Sequence, residues 1–130
     1  MPRAHAIAAF LERPRRPVLR VDNDTPIRDA ARLMEDAGLD VVVVPLDDAR
    51  WGLLTENDVA QIVVARGLDA DETPVGLVVW DEAPSAHPSD SVEDVIERLD
   101  GLGRRHAVVA HKGRPIAVVS LAELTRYALS

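Results

Sequence analysis

The chain has 130 residues, with 15 Lys plus Arg against 22 Asp plus Glu and a formal net charge of −7 at pH 7. An acidic chain with two Trp, one Tyr and one Phe lacks the clustered cations that neutralise phosphates and the rings on which single strands stack, so nucleic acid is excluded as the default partner. No run approaches the ~20 apolar residues of a spanning helix, and the lack of cysteine excludes disulfides, thiolate metal sites and a cysteine nucleophile.

At 47% hydrophobic and 28% charged residues the composition is that of an ordinary globular chain, long enough to bury roughly two thirds of its unfolded surface without staples. Ala4 to Leu11 predicts a short helix or tail. It contains His5 and runs into Glu12, Arg13, Pro14, Arg15, Arg16 and Pro17, with no export-type cleavage pattern, so a cytoplasmic location is expected.

An extended segment at Val18 to Val21 follows, and from there the chain repeats itself when slid by 65 residues. Ile27, Ala30, Ala31, Met34 and Ala37 fall on Val92, Val95, Ile96, Leu99 and Leu102, each set spaced as one face of an α-helix. Thr25 with Pro26, and Asp90 with Ser91 and a box-completing Glu93, are the start signals, and Gly38 and Gly103 suit the left-handed residue past each end. Val41 to Pro45 and Trp51 to Leu54 form a hairpin around Asp47, Asp48 and Ala49; His106 to Ala110 and Ile116 to Val119 form another around Lys112 and Gly113. Thr55 and Ser120 then cap second helices, with Val59, Ile62 and Val63 in one copy and Leu121, Leu124 and Tyr127 in the other marking apolar faces. Gly67 ends the first of these. Leu68 to Thr73 reads as an acidic, solvated connector, followed by a short helix from Thr73 and Pro74 through Val79 and an extended segment at Ser85 to Pro88.

The expected fold class is therefore α/β (α+β), with two β-α-β-β-α motifs packed about a pseudo-two-fold axis, because neither copy can bury both faces of its sheet alone. The expected boundaries are an N-terminal helix or tail at 1–17, motif 1 at 18–67, a linker with a short helix at 68–84, and motif 2 at 85–130.

This order, with the string Gly52, Leu53, Leu54, Thr55, Glu56, Asn57, Asp58 at a strand-to-helix junction, resembles a tandem pair of cystathionine-β-synthase (CBS) domains, a Bateman module. The resemblance covers about residues 18 to 130. It implies a regulatory module that binds an adenosine-containing ligand such as AMP, ADP, ATP or S-adenosylmethionine, with Gly52, Leu53, Thr55 and Asp58 at the site. The chemistry suits those residue types. An apolar strand end offers a wall to a purine, a hydroxyl beside unpaired helix amides suits phosphate or ribose oxygens, and a carboxylate one turn on accepts from both ribose hydroxyls. In the second copy Gly52 becomes Ala117 and Asp58 becomes Glu123. Ser120 and Glu123 thus mark a degenerate second site whose longer acid displaces a ribose.

After the helix-ending glycine, where the family often carries basic residues that meet phosphate, the first copy has Leu39 and Asp40 and the second has Arg104, Arg105 and His106. Arg104 and Arg105 can clamp a phosphate as bidentate donors, and Asp40 would repel one. A solvated turn is the plain alternative for the arginines, as capping is for Thr55 and Asp58.

Four histidines, His5, His87, His106 and His111, supply no metal spacing. His106 and His111 are five apart on one strand and face opposite ways. No nucleophile elbow, Gly-rich phosphate loop or calcium loop occurs, so neither a catalytic set nor a resident cofactor is expected. Trp51 suits core packing. Trp80 and the two second-helix faces are candidates for self-association into the disc-like homodimer common in the family, with core packing within the monomer as the competing account. The expectation is a stand-alone adenosyl sensor that modulates an unknown protein partner, without nucleic acid or membrane. The alternative is a ligand-free interaction module acting through dimerisation, and a small enzyme is the third reading.

Overall fold

A run of β-branched residues beside an amphipathic helix builds each half of this chain. The structure, a computed structural model, describes residues 5–79 and 81–130. It divides into two compact units, one spanning Val18–Glu82 and the other joining Ala83–Ser130 to the N-terminal segment through Pro17. In chain order the elements are α1 (Ile7–Leu11), α2 (Ile27–Ala37), β1 (Val41–Pro45), β2 (Trp51–Thr55), α3 (Glu56–Arg66), a 3-10 turn at Val75–Leu77, β3 (Ser85–Ala86), α4 (Val92–Leu102), β4 (His106–His111), β5 (Arg114–Ser120) and α5 (Leu121–Leu129).

In the unit spanning Val18–Glu82, β1 and β2 pair antiparallel with Val42 opposite Leu54 and Val43 opposite Leu53. The extended segment before α2 runs parallel beside β1, with the Val43 amide donating to Leu19 O at 2.8 Å and the Val21 amide to Val43 O at 3.0 Å. Ile27, Ala30 and Met34 on α2 close over Val42, Val44 and Leu54, with Val75 and Val79 completing the core. Helix α3 covers this cluster only partly: Val59, Ile62 and Val63 pack against it, yet no α3 residue is fully buried.

In the other unit β3 pairs parallel with β4, and β4 antiparallel with β5 across a shift at Val109/Ala110. Lys112 and Gly113 turn this hairpin with φ of 53° and 74°, the two positive angles of a tight turn whose twist matches that of the strands. Val92, Val95 and Leu99 pack on Ala107, Val109, Ala117 and Val119, and Ile7, Phe10 and Leu124 belong to the same core.

The repeat holds at the level of individual hydrogen bonds. Val108 N donates to Pro84 O at 2.8 Å, as Val43 N does to Leu19 O. Glu56 N donates to Asp40 O at 2.9 Å, as Leu121 N does to Arg105 O at 2.8 Å. Gly38, Gly67 and Gly103 end their helices in the left-handed conformation, with φ near 65°, as their sequence positions require.

The two helix starts differ from expectation. Thr25 does not cap α2: Pro26 is the N-cap without a side-chain bond, and the amides of Ile27 and Arg28 donate instead to the carbonyls of Thr73 and Ala70. The acidic connector is thus a backbone cap as well as a solvated segment, and Asp71 also pairs with Arg28. On α4, Ser91 accepts from the Asp94 amide at 3.0 Å, so the third helical residue is Asp94, and Glu93 stands one position too early to close a box. The N-terminal segment does for α4 what the connector does for α2, with Val92 N donating to His5 O at 2.7 Å and Ile7 N to Asp90 O at 2.8 Å. The helix expected through Val79 is a single 3-10 turn.

Candidate functional site

The alternation of β2 decides what its residues can do. Gly52 and Leu54 turn inward and Leu53 and Thr55 stay half-buried. A Cβ on Gly52 would lie 2.4 Å from Val79 Cγ1, 3.3 Å from Leu46 Cδ2 and 3.4 Å from Asp81 O. Only glycine lets these neighbours approach so closely.

Thr55 ends β2 in extended conformation (φ −98°, ψ 160°) and caps α3. Its Oγ1 accepts from the Asp58 amide at 3.0 Å, and Asp58 Oδ2 accepts from the Thr55 amide at 3.0 Å. This reciprocal box satisfies two amides that the helix cannot satisfy itself. It occupies one carboxylate oxygen of a half-buried Asp58, and among the described residues Oδ1 has no hydrogen-bond partner. Asp40 contributes here through its carbonyl, which takes the Glu56 amide, while its side chain is exposed.

The degenerate copy repeats the box. Ser120 Oγ accepts from the Glu123 amide at 3.0 Å, and Glu123 Oε1 accepts from the Ser120 amide at 3.1 Å. Ala117, in the place of Gly52, is 3% exposed. Arg104 and Arg105 lie in this unit, half-buried and exposed respectively, and among the described residues neither makes an ion pair. The Arg104 amide donates to Leu99 O at 3.0 Å to close α4, and the Arg105 carbonyl holds the start of α5.

Around β2 the charge is concentrated on the hairpin loop. Asp47 accepts from the amides of Ala49 and Arg50 at 2.9 Å each and from Arg50 Nε at 2.6 Å. The Ala49 amide first and the Arg50 guanidinium second hold its carboxyl below the ordinary 3.8, and the same pair raises Arg50. Trp51 is half-buried with the Arg20 guanidinium 5.0 Å above its ring.

Leu124 is fully buried in its own core, so it offers nothing to a partner copy. Tyr127 is edged by His5 and Phe10, with the Arg13 guanidinium 5.3 Å from its ring. Trp80 lies outside the described residues. Sequence reasoning missed the carbonyl roles of Asp40 and Arg105, although their 65-residue offset is a signal, and it missed that Val79 dictates glycine at position 52. His87 and His111 meet in the structure, a pairing with no local signature.

A family model for the CBS domain matches residues 7–65 and 75–130. The chain belongs to the CBS-domain family. Its similarity to the CBS domain-containing protein YhcV of Bacillus subtilis (strain 168) is 28% identity over 107 residues, covering 82% of this chain and 76% of that protein. The CBS-domain containing protein ATU1752 from Agrobacterium tumefaciens has the same fold, with a TM-score of 0.81 at 23% identity over 98% of this chain and 95% of that one. So does a hexameric CBS-CP12 protein from bloom-forming cyanobacteria, with a TM-score of 0.82 at 21% identity over 95% of this chain and 68% of that one. Both CBS motifs keep the capping box, and only the first keeps the Gly and Asp that accompany it. Among the described residues no helix is long and apolar enough to cross a membrane.

Proposed function

We propose that the protein is a regulatory CBS module whose first motif takes the ribose of an adenosine-containing ligand, of the AMP, ADP, ATP or S-adenosylmethionine class, and alters a partner protein in response. The observation that supports this reading is the state of Asp58: one carboxylate oxygen is anchored to the Thr55 amide and the other has no hydrogen-bond partner among the described residues. An anchored acceptor loses little rotamer freedom when a diol binds. Gly52, Leu53 and Thr55 complete the motif, and Arg104 and Arg105 are proposed as donors to phosphate. To act as a switch, the ligand must bind two conformations unequally, since only that difference shifts a population. No reaction is proposed.

Calorimetry with the four ligands tests the reading. Asp58→Asn keeps an acceptor for the Thr55 amide but loses the charge, and it should weaken binding at least ~10-fold, the size of one charge-assisted hydrogen bond. Glu123→Gln should leave binding unchanged. Replacing Arg104 and Arg105 by alanine should weaken ATP more than S-adenosylmethionine.

A second reading has its own support. The capping box and the tight packing of Gly52 account for the whole motif without any ligand. A ligand-free assembly module is then the function, and self-association is proposed in either case. Val64 and Leu129 are 82% and 83% exposed, and the CBS-CP12 neighbour is hexameric. Absence of heat with every ligand, alongside concentration-dependent dimerisation in sedimentation, selects this reading over the sensor.

A further inference from the structure

The 65-residue repeat leaves the same position bare in both copies. Val64 near the end of α3 and Leu129 at the end of α5 are equivalent in the repeat, and they are the two most exposed large apolar side chains among the described residues. The cores use the other side of each helix: Val59, Ile62 and Val63 pack on one cluster, and Leu121, Leu124 and Tyr127 on the other. Ala60 with Val64, and Thr125 with Leu129, stand four residues apart on the exposed side. One exposed valine or leucine is ordinary on a surface. Here the repeat places one twice, on the face that neither core covers.

Charge separates the two faces that the repeat makes alike. The unit Val18–Glu82 carries 5 Arg and no Lys against 15 Asp plus Glu, while the unit joining Ala83–Ser130 to the N-terminal segment carries 10 Lys plus Arg against 7 Asp plus Glu. The contrast reaches the helices themselves. Asp40, whose carbonyl takes the first amide of α3, stands where Arg105 takes the first amide of α5, and both side chains are exposed. Gln61 on α3 is replaced by the exposed Arg126 on α5, and the Arg13 guanidinium is 5.3 Å from the ring of Tyr127 on that helix. Two copies that meet through α3 alone set acid against acid, whereas α3 on α5 sets an acidic surround against a basic one.

We propose that the occupant of the exposed α3 face is α5 of a second copy, so that the chain pairs with itself unlike motif to unlike motif. Two-fold symmetry makes the contact twice, α3 of each copy on α5 of the other. The apolar stripe supplies the contact, and the charges choose which helix meets it. This pairing rests on the self-association proposed above. It involves no ligand, so it is independent of the adenosyl reading.

Because the chain has no cysteine, single thiols test the pairing directly. Ala60→Cys and Thr125→Cys place one thiol at the same repeat position near the middle of each exposed stripe. Mixed in equal amounts and gently oxidised, the two variants should give mainly the mixed disulfide dimer, identified by its mass, while each variant alone stays largely unlinked. Self-linked dimers of either variant in place of the mixed one, or no mixed product from chains that sediment as dimers, overturn the pairing while leaving self-association standing. Sedimentation equilibrium of the native chain should show a concentration-dependent dimer. Val64→Ser and Leu129→Ser should each raise its dissociation constant at least ~10-fold, since each side chain is buried twice in a symmetric pair, with far-ultraviolet circular dichroism establishing that the variants are folded. Undiminished association of the folded double variant overturns the proposed face, and a native chain that is monomeric at every concentration overturns self-association itself.

Discussion

Gly52 shows how one residue can answer to packing and to a motif at once. Its missing side chain admits Val79 at a distance no Cβ tolerates, so Gly52→Ala should destabilise the Val18–Glu82 unit by about 1–3 kcal/mol, as overpacked cores do. Denaturant midpoints of the two proteins measure this, and an unchanged midpoint would show that Val79 yields freely. Asp47 carries a different prediction. Its carboxyl is lowered by the Ala49 amide and the Arg50 guanidinium, so its stabilising contribution is present above the unfolded value near 3.8 and is lost as pH falls through the lower folded value. The difference in melting temperature between the native chain and Asp47→Asn should therefore be largest at neutral pH and vanish in strong acid. Solvent screening keeps it small, because the pair is exposed.

Among the helices, α3 and α5 share one start and differ in what they bury. Both carry a complete capping box, so Ser120→Ala should cost about 1 kcal/mol, and Thr55→Ala about the same through the cap alone. Thermal unfolding compares them, and a Thr55→Ala loss well above that of Ser120→Ala would show that Thr55 has a second structural partner. The helices part company beyond the first turn: α5 sinks Leu124 completely, whereas α3 has no fully buried residue. This difference follows from Val59 standing where the longer Leu124 stands in the other copy, and it leaves α3 as the more weakly held element.

At the scale of the whole molecule, the short helix α1 belongs to the same core as the second CBS motif. Ile7 is wholly buried and Phe10 nearly so, in the same core as Leu99, Val109 and Leu124. Ile7→Ala should cost about 2–5 kcal/mol, the range for an emptied aliphatic site in a core. Hydrogen exchange should show the loss in β4 and β5 while protection of β1 and β2 is retained. Equal loss in both sheets would contradict the division into two units.

The helices, hairpins and their order were legible in the sequence because amphipathic spacing, β-branched runs and left-handed glycines are local signals, and a gapless repeat reports each of them twice. The Thr55–Asp58 junction was legible for the same reason, since a cap is made by residues three apart. What covers the start of α2, which core receives Ile7, why position 52 excludes a side chain, and which histidine stands beside His111 were decided by the tertiary structure alone. Each of these depends on residues far apart in the chain, such as Thr73 with Ile27 and His87 with His111. Sequence periodicity registers which face of an element is buried, but not which distant segment buries it.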